Sequence, residues 1–250
     1  MMPRMRFLWV ALVEVLLALP LRAGAAEGLS LTWGECALSG SAAHDGTWTC
    51  DSNLGQSDLF CAFGVGAPVD SVLGVEVVVD VQQADAGLPD WWRFEVGGCR
   101  SGELLADLDF RARSACADFY HGNATAGLTY DPGQPRGGAN QARIRVTASV
   151  LPDFGYATLD PATMYYAARL IIRHATTTDP LCAGCAGPAC LVLNSITVKR
   201  QPGASGGDVV VTTPGAGDAN WATWQGGAGA NCASVPVRAV TWGRIKGLYR

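Results

Sequence analysis

The sequence predicts an all-β fold: an antiparallel, Greek-key-like β-sandwich stapled by disulfides, with a short C-terminal extension. Three observations carry this. Gly74 to Gln82 and Ala142 to Val150 alternate apolar and polar residues with period two, the pattern of a strand with one buried and one wet face. Clusters of Gly, Pro, Asn and Asp, such as Asp51-Ser52-Asn53, Asp131-Pro132-Gly133 and Arg136-Gly137-Gly138, punctuate the chain at turn-like intervals. Nine cysteines in 250 residues supply the material for a disulfide framework.

The elements follow in order. Arg4 and Arg6 precede an apolar run, Phe7 to Leu21, interrupted by Glu14 and Pro20, and Ala23-Gly24-Ala25 offers small residues to a signal peptidase. Residues 1–25 therefore read as a signal peptide cut before Ala26. The run is shorter than the roughly 20 apolar residues of a membrane span, and no later segment approaches that length. A β domain over 27–202 follows. Leu29–Cys36, Thr47–Cys50 and Leu59–Phe63 are short strand candidates. Val75, Val77, Val79 and Val81 form one face of the next, opposite Glu76, Asp80 and Gln82. Trp92, Phe94 and Val96 alternate in the same way. Ala142, Ile144, Val146, Ala148 and Val150 line one face of a further strand, and Val192–Lys199 and Val209–Thr212 complete the set. Residues 203–207 read as a flexible Gly-rich linker, and 208–250 as an extension packed on the sandwich.

Asp160 to His174 carries signals for both helix and strand. Asp160 as N-cap, Pro161 at the first helical position, and Met164, Tyr165, Ala168, Ile171 and Ile172 at helical spacing favour a helix. Yet Leu159-Asp160-Pro161-Ala162-Thr163-Met164-Tyr165 resembles the L-x-P-x-T-x-Y stretch of fibronectin type III domains. That resemblance implies a tyrosine corner, with the Tyr165 hydroxyl bonded back to the chain ahead of a strand. The strand is the preferred reading. Its inward phase would run Tyr165, Ala167, Arg169, which sets a charged residue where an apolar one is expected.

The mature chain also resembles a set of uncharacterised exported bacterial proteins. Leu88-Pro89-Asp90-Trp91-Trp92, Cys182-x2-Cys185-x4-Cys190-Leu191-Val192-Leu193-Asn194-Ser195-Ile196 and the tail Thr241 to Arg250 carry the likeness. It implies export but no activity. The tail is similar to endings of otherwise unlike exported proteins, which implies a sorting or attachment tag.

All nine cysteines lie beyond the signal peptide, which predicts an oxidising compartment. The odd number leaves one unpaired. Cys61, in the apolar run Leu59 to Phe63, is the expected free thiol, because a buried thiol behaves as a small hydrophobe. Proximity predicts Cys36 with Cys50 and Cys99 with Cys116. Cys182, Cys185, Cys190 and Cys232 would then form two more bridges. Three cysteines within nine residues cannot all pair among themselves, so Cys232 is expected to staple the extension to the sandwich.

Removing residues 1–25 leaves 15 basic against 21 acidic residues, a net charge of −6. That balance excludes nucleic acid and anionic membrane as partners of the chain as a whole, since these require a concentrated basic face. The other constellations favour no chemistry. Cys182-x2-Cys185-x4-Cys190 with Cys232 has the spacing of a four-thiolate zinc site or, at Cys182/Cys185, of a redox pair. The exported compartment favours structural disulfides instead, so no metal and no cofactor is expected. Gly203-Ala204-Ser205-Gly206-Gly207 matches a nucleophile elbow, but a strand-like run follows where that motif needs a helix. His44, His121 and His174 are scattered, and Asp107 and Asp109 fit a solvated strand face as well as a carboxylate pair.

Aromatic residues carry the best binding signal. Trp91 lies out of phase with Trp92, Phe94 and Val96, and Trp221 and Trp224 sit in a Gly-rich stretch, so these three are the candidate ligand-binding residues. The sequence thus reads as a secreted, periplasmic or surface-displayed non-enzymatic binding or structural domain, with a glycan or a cell-surface protein as ligand. The alternative is an exported enzyme, either a thiol oxidoreductase at Cys182/Cys185 or a hydrolase on a sandwich scaffold.

Overall fold

The computed structural model describes residues 27–227 and 229–232; residues 1–26, with the expected signal peptide, and residues 233–250, with the tail at Thr241 to Arg250, lie outside them. Twelve strands are described: β1 (Gly28–Trp33), β2 (Asp45–Gly46), β3 (Gln56–Gly64), β4 (Val69–Gln83), β5 (Leu104–Asp107), β6 (Ala124–Pro132), β7 (Gln141–Val150), β8 (Ala157–Leu159), β9 (Met164–Arg173), β10 (Ala189–Arg200), β11 (Val209–Val211) and β12 (Trp221–Trp224). They form two sheets. One runs β1-β3-β9-β5. The other runs β2-β12-β10-β4-β7-β6, with β11 added to β10 and β8 to the start of β4. All pairings are antiparallel except β12 with β2.

The valine stripe decides the register of the large sheet. Val77 lies opposite Val146 on β7 and Ile196 on β10, and Val79 opposite Ile144 and Leu193, so three strands turn apolar residues to the same interior. A one-residue slip would put all of them in water. On the outer face of this sheet, Asp80 receives Arg143 through both carboxylate oxygens, at 2.7 and 2.9 Å. Leu29, Leu31, Leu59 and Cys61 of the small sheet complete the core.

Asp160–His174 resolves as strand from Met164, and ahead of it the Asp160 N–H donates to the Tyr165 hydroxyl at 2.6 Å. A β-bulge removes the misplaced charge. Cys61 pairs with Ala168 but Ala62 with Tyr166, so Ala167 is an extra residue and the side-chain phase reverses there. Ala168, Leu170 and Ile172 point inward, while Arg169 turns out to Asp58 and Asp107.

Several expectations are overturned. Trp92, Phe94 and Val96 are not a strand: Asp90–Trp92 is a 3-10 turn, and Val96 is 98% exposed. Thr47–Cys50 is not a strand either. The proximity pairs fail, because the fold brings together cysteines remote in sequence. Cys36 bonds Cys116 rather than Cys50, Cys50 bonds Cys185, and Cys99 bonds Cys182 rather than Cys116. Cys190 bonds Cys232, and Cys61 is free and buried, its thiol pushed up to about 12 by burial alone. The segment after residue 208 is not merely packed on the sandwich. It supplies β11, and it supplies β12 as an interior strand between β10 and β2.

Candidate functional site

The three tryptophans chosen from the sequence do not form a binding platform. Trp91 and Trp224 are both 0% exposed, and Trp221 is half-buried against the His44 ring. Instead, five indoles close one end of the sandwich. Trp224 stacks on Trp48 at 3.8 Å and meets Trp91 at 4.6 Å, with Trp33 and Trp92 edge-on at 5.9 and 5.7 Å. Arg100 is buried with them, its guanidinium 3.8 Å from the Trp91 ring, and it donates to the Trp91 and Arg173 carbonyls. Burial lowers its pKa to about 10, which leaves it charged at neutral pH. The indole N–H groups of Trp33, Trp91 and Trp224 are all spent on internal acceptors.

The catalytic candidates fare no better. Cys182 and Cys185 belong to different disulfides, so they are not a dithiol couple. No group of three or more His, Cys, Asp or Glu side chains among the described residues could hold a metal ion. Ser205 sits in a turn whose carbonyl accepts from Arg200, and β11 follows it. Asp107 pairs with Arg169, and Asp109 with Arg111. Ser57 and His174 do meet, Oγ to Nε2 at 2.8 Å, and burial together with the Arg100 charge lowers the imidazole pKa. Ser57 is only 4% exposed, however, so a substrate carbonyl has no approach to it.

His44 is a structural clasp. Its Nδ1 lies 2.9 Å from the Leu31 carbonyl and 3.2 Å from that of Trp221, and its Nε2 lies 3.1 Å from Asp218. All these partners are acceptors, so the ring makes its full set of bonds only as the imidazolium. The Asp218 bond is the main cause of a raised imidazole pKa, reinforced by the carbonyls against an opposing burial effect. Burial alone would raise the Asp218 pKa, but His44 and neighbouring donors outweigh it and lower the carboxyl.

The strongest site is one the sequence reading missed. A cleft of about 430 Å³ opens between the turn 117–123 and the segment 150–158. The first wall is held from two sides: Cys116 is tied to Cys36, and Ala117 exchanges backbone bonds with Met164 and Tyr166 of β9 at 2.9 and 3.0 Å. Its turn is fixed by Asp118, whose two oxygens accept from the N–H groups of Tyr120 at 2.9 Å and Gly122 at 3.1 Å. His121 thereby adopts φ +52°, a left-handed conformation uncommon for non-glycine residues, and projects to the exposed rim. The second wall is joined to the first where Leu151 N–H donates to the Asn123 carbonyl at 2.9 Å. It then makes a 3-10 turn, Pro152–Phe154, and reverses at Gly155, φ +77°, before β8.

Buried Phe119, Tyr120, Val150 and Tyr165 line the base of the cleft, and Phe154 and Tyr156 stand at its mouth, 60% and 52% exposed. These two are the exposed aromatic side chains of the described residues. The signal was present in Leu151-Pro152-Asp153-Phe154-Gly155-Tyr156: two aromatics inside a Pro- and Gly-marked turn, where no strand periodicity exists to bury them. The chain matches no protein-family model, no curated protein and no solved structure.

Proposed function

We propose that this protein is an extracytoplasmic, non-enzymatic binding domain whose ligand occupies the cleft between residues 117–123 and 150–158. The observation that carries the reading is the pair of exposed rings, Phe154 and Tyr156, at the mouth of a cleft with a rigidly held base. Exposing two rings next to each other leaves apolar surface in water, a cost the fold avoids at Trp33, Trp91, Trp92 and Trp224, which are all buried. Aromatic rings also give large contact area with little side-chain entropy to lose, which suits a recognition surface. The cleft volume lies within the roughly 300–1,000 Å³ range of small-ligand sites.

Four disulfides support placement in an oxidising compartment, and no helix among the described residues is long and apolar enough to cross a membrane. The test is retention of the mature protein on immobilised glycans and peptides, compared with a Phe154→Ser/Tyr156→Ser variant. Retention lost in the variant, with unchanged thermal melting, supports the reading. A ligand held equally by both proteins places the site elsewhere and overturns it.

A further inference from the structure

We infer that the ligand of this cleft is a neutral pyranose glycan, stacked on Phe154 and Tyr156 and hydrogen-bonded by the polar groups around them, His121 and Asn123 on the facing wall, Thr158 beside the rings and Tyr165 at the base. The inference rests on the binding reading above and adds the chemical class of the ligand. Charge is the first argument. No Lys or Arg lines the cleft, so a carboxylate, sulfate or phosphate group finds no cation there. Its one carboxylate, Asp118, already has both oxygens engaged by backbone N–H groups, so a cationic ligand finds no free anion. A neutral occupant is the one that loses no ion hydration on entering.

The polar inventory is the second argument. Asn123 donates Nδ2–H to the His121 carbonyl, which leaves its side-chain oxygen as an acceptor. The Tyr165 hydroxyl accepts from Asp160 and keeps its own proton to donate. The Thr158 hydroxyl and the His121 ring line the cleft with no hydrogen-bonded partner among the described residues. This is a mixed set of donors and acceptors beside an apolar rim. A sugar ring presents the same mixture, since each hydroxyl both donates and accepts while the axial C–H groups give an apolar face for an aromatic ring. A peptide fits less well. A peptide that docks by adding a strand needs a sheet edge to pair with, and the walls here are turns and the three-residue β8.

The experiment uses isothermal titration of the mature protein with maltohexaose, cellohexaose, mannohexaose, xylohexaose and chitohexaose, with polygalacturonate as the anionic comparison. The variants are Phe154→Ala/Tyr156→Ala, Thr158→Val, and Leu181→Ala as an exposed apolar control outside the cleft. At least one neutral hexaose should bind, at least tenfold more weakly to the double aromatic variant and several-fold more weakly to Thr158→Val, with Leu181→Ala unchanged. Preference for polygalacturonate, or neutral-glycan binding that the aromatic variant leaves intact, overturns the assignment. If no hexaose binds but a displayed peptide library yields ligands lost in the aromatic variant, the glycan class is wrong and the binding reading stands. If neither probe set gives a ligand sensitive to Phe154 and Tyr156, both are wrong.

Discussion

Replacing Trp224 by alanine removes the centre of the indole plug and tests whether the C-terminal segment is part of the core. Its ring is fully buried, stacked on Trp48 and in contact with Trp33, Trp91 and Trp92, and its Nε1–H donates to the Cys185 carbonyl at 2.6 Å. Truncating a buried Trp costs about 3–5 kcal/mol in lost burial and residual cavity. The orphaned Cys185 carbonyl adds about 1 kcal/mol. A loss of about 4–6 kcal/mol approaches the whole stability of a marginal domain, about 5–15 kcal/mol. It should lower the melting temperature by about 8–24 °C at this chain length. Trp221→Ala is the internal comparison. Trp221 lies three residues earlier on the same strand but is only half-buried, so its loss should stay below about 2 kcal/mol. Thermal and urea unfolding of both variants, followed by circular dichroism with the disulfides intact, reads the difference directly. Equal losses, or a Trp224→Ala loss under about 1 kcal/mol, would refute the packing argument and return residues 208–232 to a peripheral role.

Two further outcomes follow from the titrating groups. His44 has a folded pKa raised above its ordinary 6.5, so its contribution is complete below that value and is lost as pH rises through the folded pKa. Asp218 has a folded pKa lowered below its ordinary 3.8, so its contribution is present above that value and is lost as pH falls through the folded pKa. The stability gap between the native protein and His44→Gln should therefore be widest between about pH 4 and 6.5, and urea melts showing a gap that widens towards pH 8 would contradict the clasp. Cys61, with its thiol pushed up to about 12 by full burial, should resist iodoacetamide at pH 8 in the native state and react once unfolded. Cys61→Ala should cost about 1 kcal/mol, and rapid native alkylation would show that the thiol is accessible.

Much of the sheet structure was legible because it depends on local periodicity. Val75–Val81, with Val78 as the one apolar residue on its wet face, and Ala142–Val150 alternate, and they pair residue for residue as β4 and β7. The corner at Tyr165 was legible because its hydrogen bond spans only five residues. What stayed hidden depends on contacts remote in sequence. The Ala167 bulge, which turns Arg169 outward, leaves no mark on the alternation read from β9 alone. Trp92, Phe94 and Val96 alternate by accident, because a 3-10 turn carries adjacent Trp91 and Trp92 into the interior edge-on at 5.1 Å. The bridges join residues 80, 135 and 83 apart, so nearness in sequence was a poor guide to pairing. Cys232 was the exception: Cys182, Cys185 and Cys190 cannot all pair among themselves, and the fold brings Cys232 back to Cys190. The cleft is hidden in the sequence because Phe154 and Tyr156 are placed by turns that no strand pattern announces, whereas tryptophan, the ring with the most area to bury, stands out there and is mostly taken into the core.

Bridge connectivity depends on every part of this fold at once: the anchoring of the cleft wall, the indole plug and the insertion of β12. Each closed loop is long, so each bridge should stabilise by about 4–5 kcal/mol in the chain-entropy model. Non-reducing peptide mapping of the mature protein, with free thiols alkylated after unfolding, measures it. The account predicts four linked peptide pairs, Cys36–Cys116, Cys50–Cys185, Cys99–Cys182 and Cys190–Cys232, and a single alkylated thiol at Cys61. A Cys36–Cys50 link, a Cys182–Cys185 link or an alkylated Cys232 would contradict it.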